Sequence, residues 1–284
     1  MPFFDQIAMW ASLDRRPLGC RVSGNIFKAP NDFGLPSNHK TLVNKYARLA
    51  TYVCSIRSEI PCLFTFDESL LDVRRPVLAG RFRLLKDPAP DVGLFDGLTE
   101  NKRADGRKVA LFFGYISKRK GIFNLLSSLV ELPEQDQKKL VIRISGRVKP
   151  ELVDLLENAI AQARRAAPNI VIELNNKYLT EAEIAQEIMD ASVILMPYEN
   201  HVGSSGVLHW AATAKRPVIA QDTRMIGYLV TRYGLGKVVD VWNPHALANA
   251  LIADVEMSDE KAADFVDGNT FEKLSSQILS ELLA

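Results

Sequence analysis

From about residue 107 onward, short apolar runs alternate with stretches whose apolar residues recur at helical spacing, and few folds accommodate that alternation. KVALFFG (108–114) is a continuous apolar run ending in glycine, the pattern of a parallel strand covered on both faces. Residues 122–132 read as a helix stopped by Pro133, LVIRISG (140–146) as a second strand, and 151–166 as an amphipathic helix closed by Pro168. NIVIEL (169–174) is the third strand. Thr180, with Glu183 three positions on, forms a capping box that opens the next helix. SVILMP (192–197) is the fourth strand, and a glycine-serine turn at 203–206 leads into a helix over 207–214. RPVIAQ (216–221), a helix near 225–233 and GKVVDV (236–241) complete the series. Strands and helices in this order predict an α/β, Rossmann-like parallel sheet with helices on both faces.

The first 105 residues are less regular, with a helix near 39–52, a strand at 62–67, a brief helix and a strand at 82–87. Two strands make an incomplete α/β region. The stretch 87–106 is rich in Pro, Gly and Asp, has no periodicity, and reads as the domain boundary. Two amphipathic helices, 258–266 and 270–283, close the chain. The expected division is therefore 1–105, 106–257 and 258–284.

Composition narrows the classes. The 284 residues are 47% hydrophobic and 24% charged, ordinary for a soluble globular protein and unlike a disordered tail, a collagen or a coiled-coil rod. No run approaches the ~18 apolar residues of a membrane span, and MPFFDQIAMWASLDRRP lacks the basic start and cleavage site of a signal peptide. Cys20, Cys54 and Cys62 are odd in number and lack metal-ligand spacing, so they read as free thiols in a reducing cytosol. A net charge of +1 gives no case for nucleic-acid binding. Residues 256–284 hold 2 basic and 7 acidic side chains, leaving the body mildly basic. Such a body is compatible with a phosphorylated ligand or with peripheral contact at the inner face of a membrane.

In doubly wound sheets the ligand lies beyond the carboxyl ends of the strands, so those loops are where chemistry is expected. After the first strand come Gly114 and then Lys118, Arg119 and Lys120 at a helix start, where backbone N–H groups also favour anions. These residues read as a diphosphate clamp. The glycines at 114 and 121, seven positions apart, match neither the dinucleotide fingerprint nor a Walker loop. After the second strand, Gly146 permits close backbone approach, and Arg147 has the reach to meet a phosphate or stack on a base. After the fourth come Glu199, His201, Gly203, Ser204, Ser205 and Gly206, a second anion cradle flanked by two side chains suited to sugar hydroxyls or the leaving group. Asp222, Thr223 and Arg224 follow the fifth strand toward the same rim, while Trp210, in an alanine-rich helix, reads as a packing residue. His39 and His245 read as surface residues, and no hydrolase triad, HExxH, CxxC or EF-hand spacing occurs.

Taken together, residues 107–284 resemble the donor-binding half of a GT-B glycosyltransferase of the retaining group 1 or group 4 kind. The resemblance rests on the order of Gly114…Lys120-Gly121, Ser145-Gly146, the helix at 179–191, Met196-Pro197, the run 206–214, Pro217-Val218-Ile219-Ala220 and Tyr233-Gly234-Leu235-Gly236. It implies a nucleotide-diphosphate-sugar donor, a glycan, lipid or small-molecule acceptor, and no obligatory metal. It also implies that Lys120 stabilises the departing diphosphate. The first hundred residues resemble only the last part of the family's N-terminal domain. With that reading the chain is about a hundred residues short of a two-domain transferase.

The sequence also departs from the family. Tyr115 stands where the family has arginine, leaving Lys118 or Arg119 as the substitute charge. The family's two donor-gripping glutamates fall on Val202 and Trp210, unless the alignment slips and brings Glu199 or His209 into play, and Tyr228 replaces a further glutamate. These departures keep a second expectation open, that of a non-catalytic relative with an eroded donor site.

Overall fold

The computed structural model describes residues 24–26, 63–66, 68, 82–199, 201 and 203–283. The helix expected at 39–52, the three cysteines, His39 and Val202 lie outside the described residues. The chain divides into two compact units, Met1–Asp87 with Phe271–Ala284, and Pro88–Thr270.

In the first unit, β1 (Gly24–Ile26), β2 (Leu63–Thr65) and β3 (Phe82–Leu84) form a parallel sheet in the order β1-β2-β3. β1 was not anticipated: three residues between turn-rich segments are too few to show a periodicity. The second unit holds a six-stranded, all-parallel sheet. Its strands are β4 (Lys108–Phe113), β5 (Leu140–Ser145), β6 (Val171–Asn175), β7 (Val193–Met196), β8 (Val218–Gln221) and β9 (Gly236–Val239). They lie in the order β6-β5-β4-β7-β8-β9. Six strands sit where the sequence placed them, each a residue or two shorter or shifted.

The strands are mostly apolar because both faces of this sheet are covered, with Arg143 of β5 and Glu173 of β6 as a paired exception. Alternate residues of β4 serve the two sides. Ala110 and Phe112 enter a core with Leu125, Leu129, Ile160 and Leu251, whereas Val109, Leu111 and Phe113 enter another with Ile188, Leu208, Ile226 and Phe265. The first core is roofed by α1 (Ile122–Ser128) and by α3 (Val153–Ala166), with the short polar α2 (Glu134–Gln137) between them in the chain. The second is roofed by α4 (Glu181–Met189), α5 (Gly206–Thr213) and α6 (Arg224–Arg232). The capping box at the start of α4 is complete: Thr180 accepts from the Glu183 N–H and Glu183 accepts from the Thr180 N–H.

Three details differ from the sequence reading. The helix expected over 122–132 leaves α-geometry after Ser128, whose hydroxyl donates back to the Leu125 carbonyl (2.8 Å), and ends in a 3₁₀ turn over Leu129–Glu131. An unanticipated helix, α7 (Pro244–Ile252), buries Leu247 and Leu251 in the first core. Asn243 caps it by accepting from the Ala246 N–H, and Pro244 takes the first-turn position where a missing N–H costs nothing. Residues 88–105, read as a boundary, are irregular but fastened within the second unit. Asn101 donates to Asp190 (2.9 Å), and Arg103 pairs with Glu173 (2.6 Å), which also receives Arg143.

The closing helices belong to different units. α8 (Asp259–Gly268) buries Ala262 and Phe265 in the second core. α9 (Phe271–Leu283) belongs to the first unit, where Leu274 and Ile278 pack on Leu85 and Gln277 donates to the Leu84 carbonyl (2.5 Å). Among the described residues no helix is long and apolar enough to cross a membrane.

Candidate donor site

Strand order locates the site. The chain steps from β4 outward through β5 to β6, returns to the other side of β4 at β7, and then proceeds to β8 and β9. The order reverses between β4 and β7, and the crevice beyond the carboxyl ends of those two strands is where open α/β sheets bind ligands. The loops leaving these strands, 114–121 and 197–206, meet there. The Glu199 N–H donates to the Arg119 carbonyl (2.8 Å), and an Arg119 guanidinium nitrogen contacts Nδ1 of His201.

Backbone packing makes this meeting tight. Gly121 has φ +75°, and a Cβ on it would stand 1.6 Å from the Pro197 carbonyl oxygen. On the β5 side, a Cβ on Gly146 would stand 2.2 Å from the Gly114 carbonyl oxygen. Only glycine lets these loops approach so closely.

Within the basic run, the three cations have different fates. Lys118 and Arg119 are exposed, whereas Lys120 is buried at the end of the 3₁₀ turn Lys118–Lys120. Its Nζ donates to the Phe113 carbonyl (2.9 Å), would meet a Cβ on Gly114 at 2.8 Å, and lies 5.7 Å from the centroid of the Tyr198 ring. Burial, with the like charge of Arg119, pulls its ammonium down to about 8, and among the described residues no carboxylate compensates it. Lys120 is thus a buried cation facing carbonyl oxygen and aromatic surface, without an acidic partner among the described residues.

The second cradle supplies the opposite wall. Gly203 has φ +110°, Ser204 is buried, and Ser205 adopts φ +69°, a conformation costly for a residue with a side chain. Ser205 precedes α5 without capping it by its side chain; its hydroxyl instead meets the Tyr198 hydroxyl (3.3 Å). Gly206, the first residue of α5, is exposed. Arg147 is carried on a one-residue bridge that extends β4 and β5, with the Ile116 N–H donating to its carbonyl (2.9 Å) and its side chain exposed.

The structure thus brings Gly114, Arg119, Lys120, Glu199, His201 and Ser205 together around the crevice, with Lys118 and Arg147 exposed on its rim loops. Both stand-ins for the family's second glutamate are committed elsewhere. His209 is buried and stacked on Phe265 (5.0 Å between centroids), and Trp210 packs edge-on against Phe95 (5.9 Å). Tyr228 accepts from Arg232 (2.8 Å). Sequence reasoning overlooked Tyr198, which is 1% exposed and touches three parts of the site: Lys120, His201 (5.1 Å between centroids) and Ser205. An aromatic residue just past a buried strand reads as core, and only its neighbours reveal more.

The family model for glycosyl transferases group 1 matches residues 98–270. The chain belongs to the group 1 glycosyltransferases. That match begins where the 88–105 segment is pinned to the second unit. No curated protein sequence matches this group 1 chain. Among solved structures it is similar to Anabaena HepE in complex with UDP and glucose (TM-score 0.63, 16% identity, covering 98% of this chain and 75% of that one). It is similar also to sucrose-phosphate synthase from Thermosynechococcus elongatus (0.67, 15%, 96% and 69%) and to apo OtsA (0.68, 12%, 97% and 70%). At these identities the likeness establishes a shared GT-B fold.

Proposed function

We propose that this group 1 glycosyltransferase moves a sugar from a nucleoside-diphosphate-sugar to a separate acceptor, with the donor diphosphate lying between Lys120 and the 203–206 turn. The observation that carries the reading is Lys120 itself, a buried ammonium without an acidic partner among the described residues, at the point of strand-order reversal. When the bond between sugar and diphosphate breaks, negative charge accumulates on the leaving oxygen. A fixed cation in a water-poor pocket then stabilises the transition state more than the ground state, which is what lowers a barrier. That HepE, which shares the fold, forms complexes with UDP and with UDP-glucose supports a nucleotide-sugar as the donor.

Arg119, held near His201, supplies the second charge that Tyr115 cannot. These cations take the neutralising role that a divalent metal plays elsewhere. With Trp210 packed away, hydroxyl recognition passes to Glu199, His201, Ser204, Ser205 and backbone N–H groups of the 203–206 turn. A saturation-transfer NMR screen with UDP, GDP and ADP tests the reading. At least one nucleotide is expected to bind, and silence from all three overturns it.

A further inference from the structure

Tyr198 is built into the crevice in a way that its burial alone does not require. Its ring is fixed from two sides, with the Lys120 ammonium 5.7 Å from its centroid and the His201 ring edge-on at 5.1 Å. Its hydroxyl meets the Ser205 hydroxyl at 3.3 Å, and Ser205 is the residue held at φ +69° at the start of α5. Each hydroxyl has one proton to give and lone pairs to receive, and either can rotate to suit its neighbours. The 3.3 Å contact therefore leaves open which of the two donates, and the surroundings decide it.

An anion beside Ser205 changes that balance. A phosphate oxygen is a stronger acceptor than a phenol oxygen, because charge-assisted hydrogen bonds are roughly twice as strong as neutral ones. The Ser205 proton therefore turns outward, leaving a lone pair that the Tyr198 O–H is placed to fill. Burial pushes the Tyr198 phenol up to about 12, so it keeps its proton throughout the neutral range and always has one to give. We propose that Tyr198 is a positioning residue for the donor diphosphate: its hydroxyl donates to Ser205 when the anion is bound, and so holds the Ser205 hydroxyl on a phosphate oxygen. The proposal rests on the reading of Lys120 and the 203–206 turn as the diphosphate site.

Chains of hydrogen bonds polarise one another, so Tyr198 and Ser205 act on the ligand as a unit. Replacing Tyr198 by Phe keeps the ring under Lys120 and removes only the oxygen. Calorimetry with UDP, GDP, ADP and inorganic pyrophosphate is expected to show Tyr198→Phe and Ser205→Ala each weakening binding by roughly three- to tenfold. The double variant is expected to bind no worse than Ser205→Ala alone, since contacting residues are non-additive. Losses that simply add, or a Tyr198→Phe protein that melts earlier yet binds as the wild type does, overturn the proposal. Should Tyr198→Phe fail to fold, 3-fluorotyrosine placed at 198 preserves the hydroxyl. Its ¹⁹F resonance is expected to shift on ligand addition in the wild type and not in Ser205→Ala, and equal shifts in both overturn the proposal. Binding of pyrophosphate without any nucleotide sinks the nucleotide-sugar reading while leaving the Tyr198–Ser205 coupling measurable; no binding of any probe overturns both.

Discussion

Arg119 and His201 meet across the line at which the sheet's strand order reverses, the guanidinium of one against Nδ1 of the other. A guanidinium has only protons to give, so Nδ1 is the accepting nitrogen and the imidazole carries its proton on Nε2. That contact ties the loop after β4 to the loop after β7 and aims Nε2–H away from Arg119. Long-range ¹H–¹⁵N correlation spectra of the histidines are expected to show the Nε2–H tautomer for His201. An Nδ1–H tautomer would contradict the contact.

The depressed ammonium of Lys120 gives binding a distinct pH dependence. Its folded value of about 8 lies below the 10.5 of an ordinary lysine. Between those values the unfolded chain holds the proton more firmly than the folded one, so this group's contribution to stability rises with pH across the window. Anion binding runs the other way, since it needs the charged form. UDP affinity is expected to fall above about pH 8, approaching tenfold per unit. Lys120→Arg, whose guanidinium stays charged, is expected to flatten the curve. A wild-type profile level from pH 7 to 9.5 would show that Lys120 is not the titrating contact.

Among the described glycines, Gly121 leaves the least room for a Cβ. Alanine there must both adopt φ +75° and displace the Pro197 carbonyl, which a Cβ would approach to 1.6 Å. Gly121→Ala is expected to cost more than about 2 kcal/mol in denaturant unfolding, combining strain with overpacking. A loss below about 0.5 kcal/mol would mean that the loops are not packed as described.

The half-buried Arg143 pairs with Glu173 at 2.8 Å, which it shares with Arg103, and with Glu187 at 3.3 Å. The Arg143 and Arg103 hydrogen bonds outweigh burial and hold the Glu173 carboxyl below its usual range. The stability this group contributes is therefore present above the ordinary glutamate range and lost as the pH falls through its folded value. Glu173→Gln is expected to lower stability at pH 7 by no more than about 1 kcal/mol, because the partly exposed pair is screened by solvent, and to shrink the loss seen on acidification. An unchanged acid limb would refute the assignment.

How much of this was legible before the structure varies with the kind of signal. β4 and β5 are apolar over most of their length, Lys108, Arg143 and Ser145 excepted, because both faces are buried, so their sequences announce them. Thr180 and Glu183 announce a helix start because the capping box needs those two side chains at that spacing. α7 went unread because Asn243-Pro244 is ambiguous: the pair suits an exposed turn as well as a helix cap and first turn, and the burial of Leu247 and Leu251 decides between them. At the site, the loops after β4 and β7 were identifiable from strand order, but the separation of Lys120 from Lys118 and Arg119 was not. Three adjacent cations look alike in sequence, and only the turn over Lys118–Lys120 sends one of them inward. Tyr198 was hidden for the opposite reason, since its burial is what any aromatic after a core strand would show.

The central claim is that a nucleoside diphosphate binds at the strand-order reversal and is held there by Lys120. Isothermal calorimetry of the wild type and Lys120→Ala with UDP, GDP and ADP, at pH 7 with matched thermal melts, tests it most directly. A nucleotide that binds the wild type and loses more than about 1 kcal/mol of affinity in Lys120→Ala, with the fold intact, is the predicted result. Equal affinity in the two proteins would contradict it.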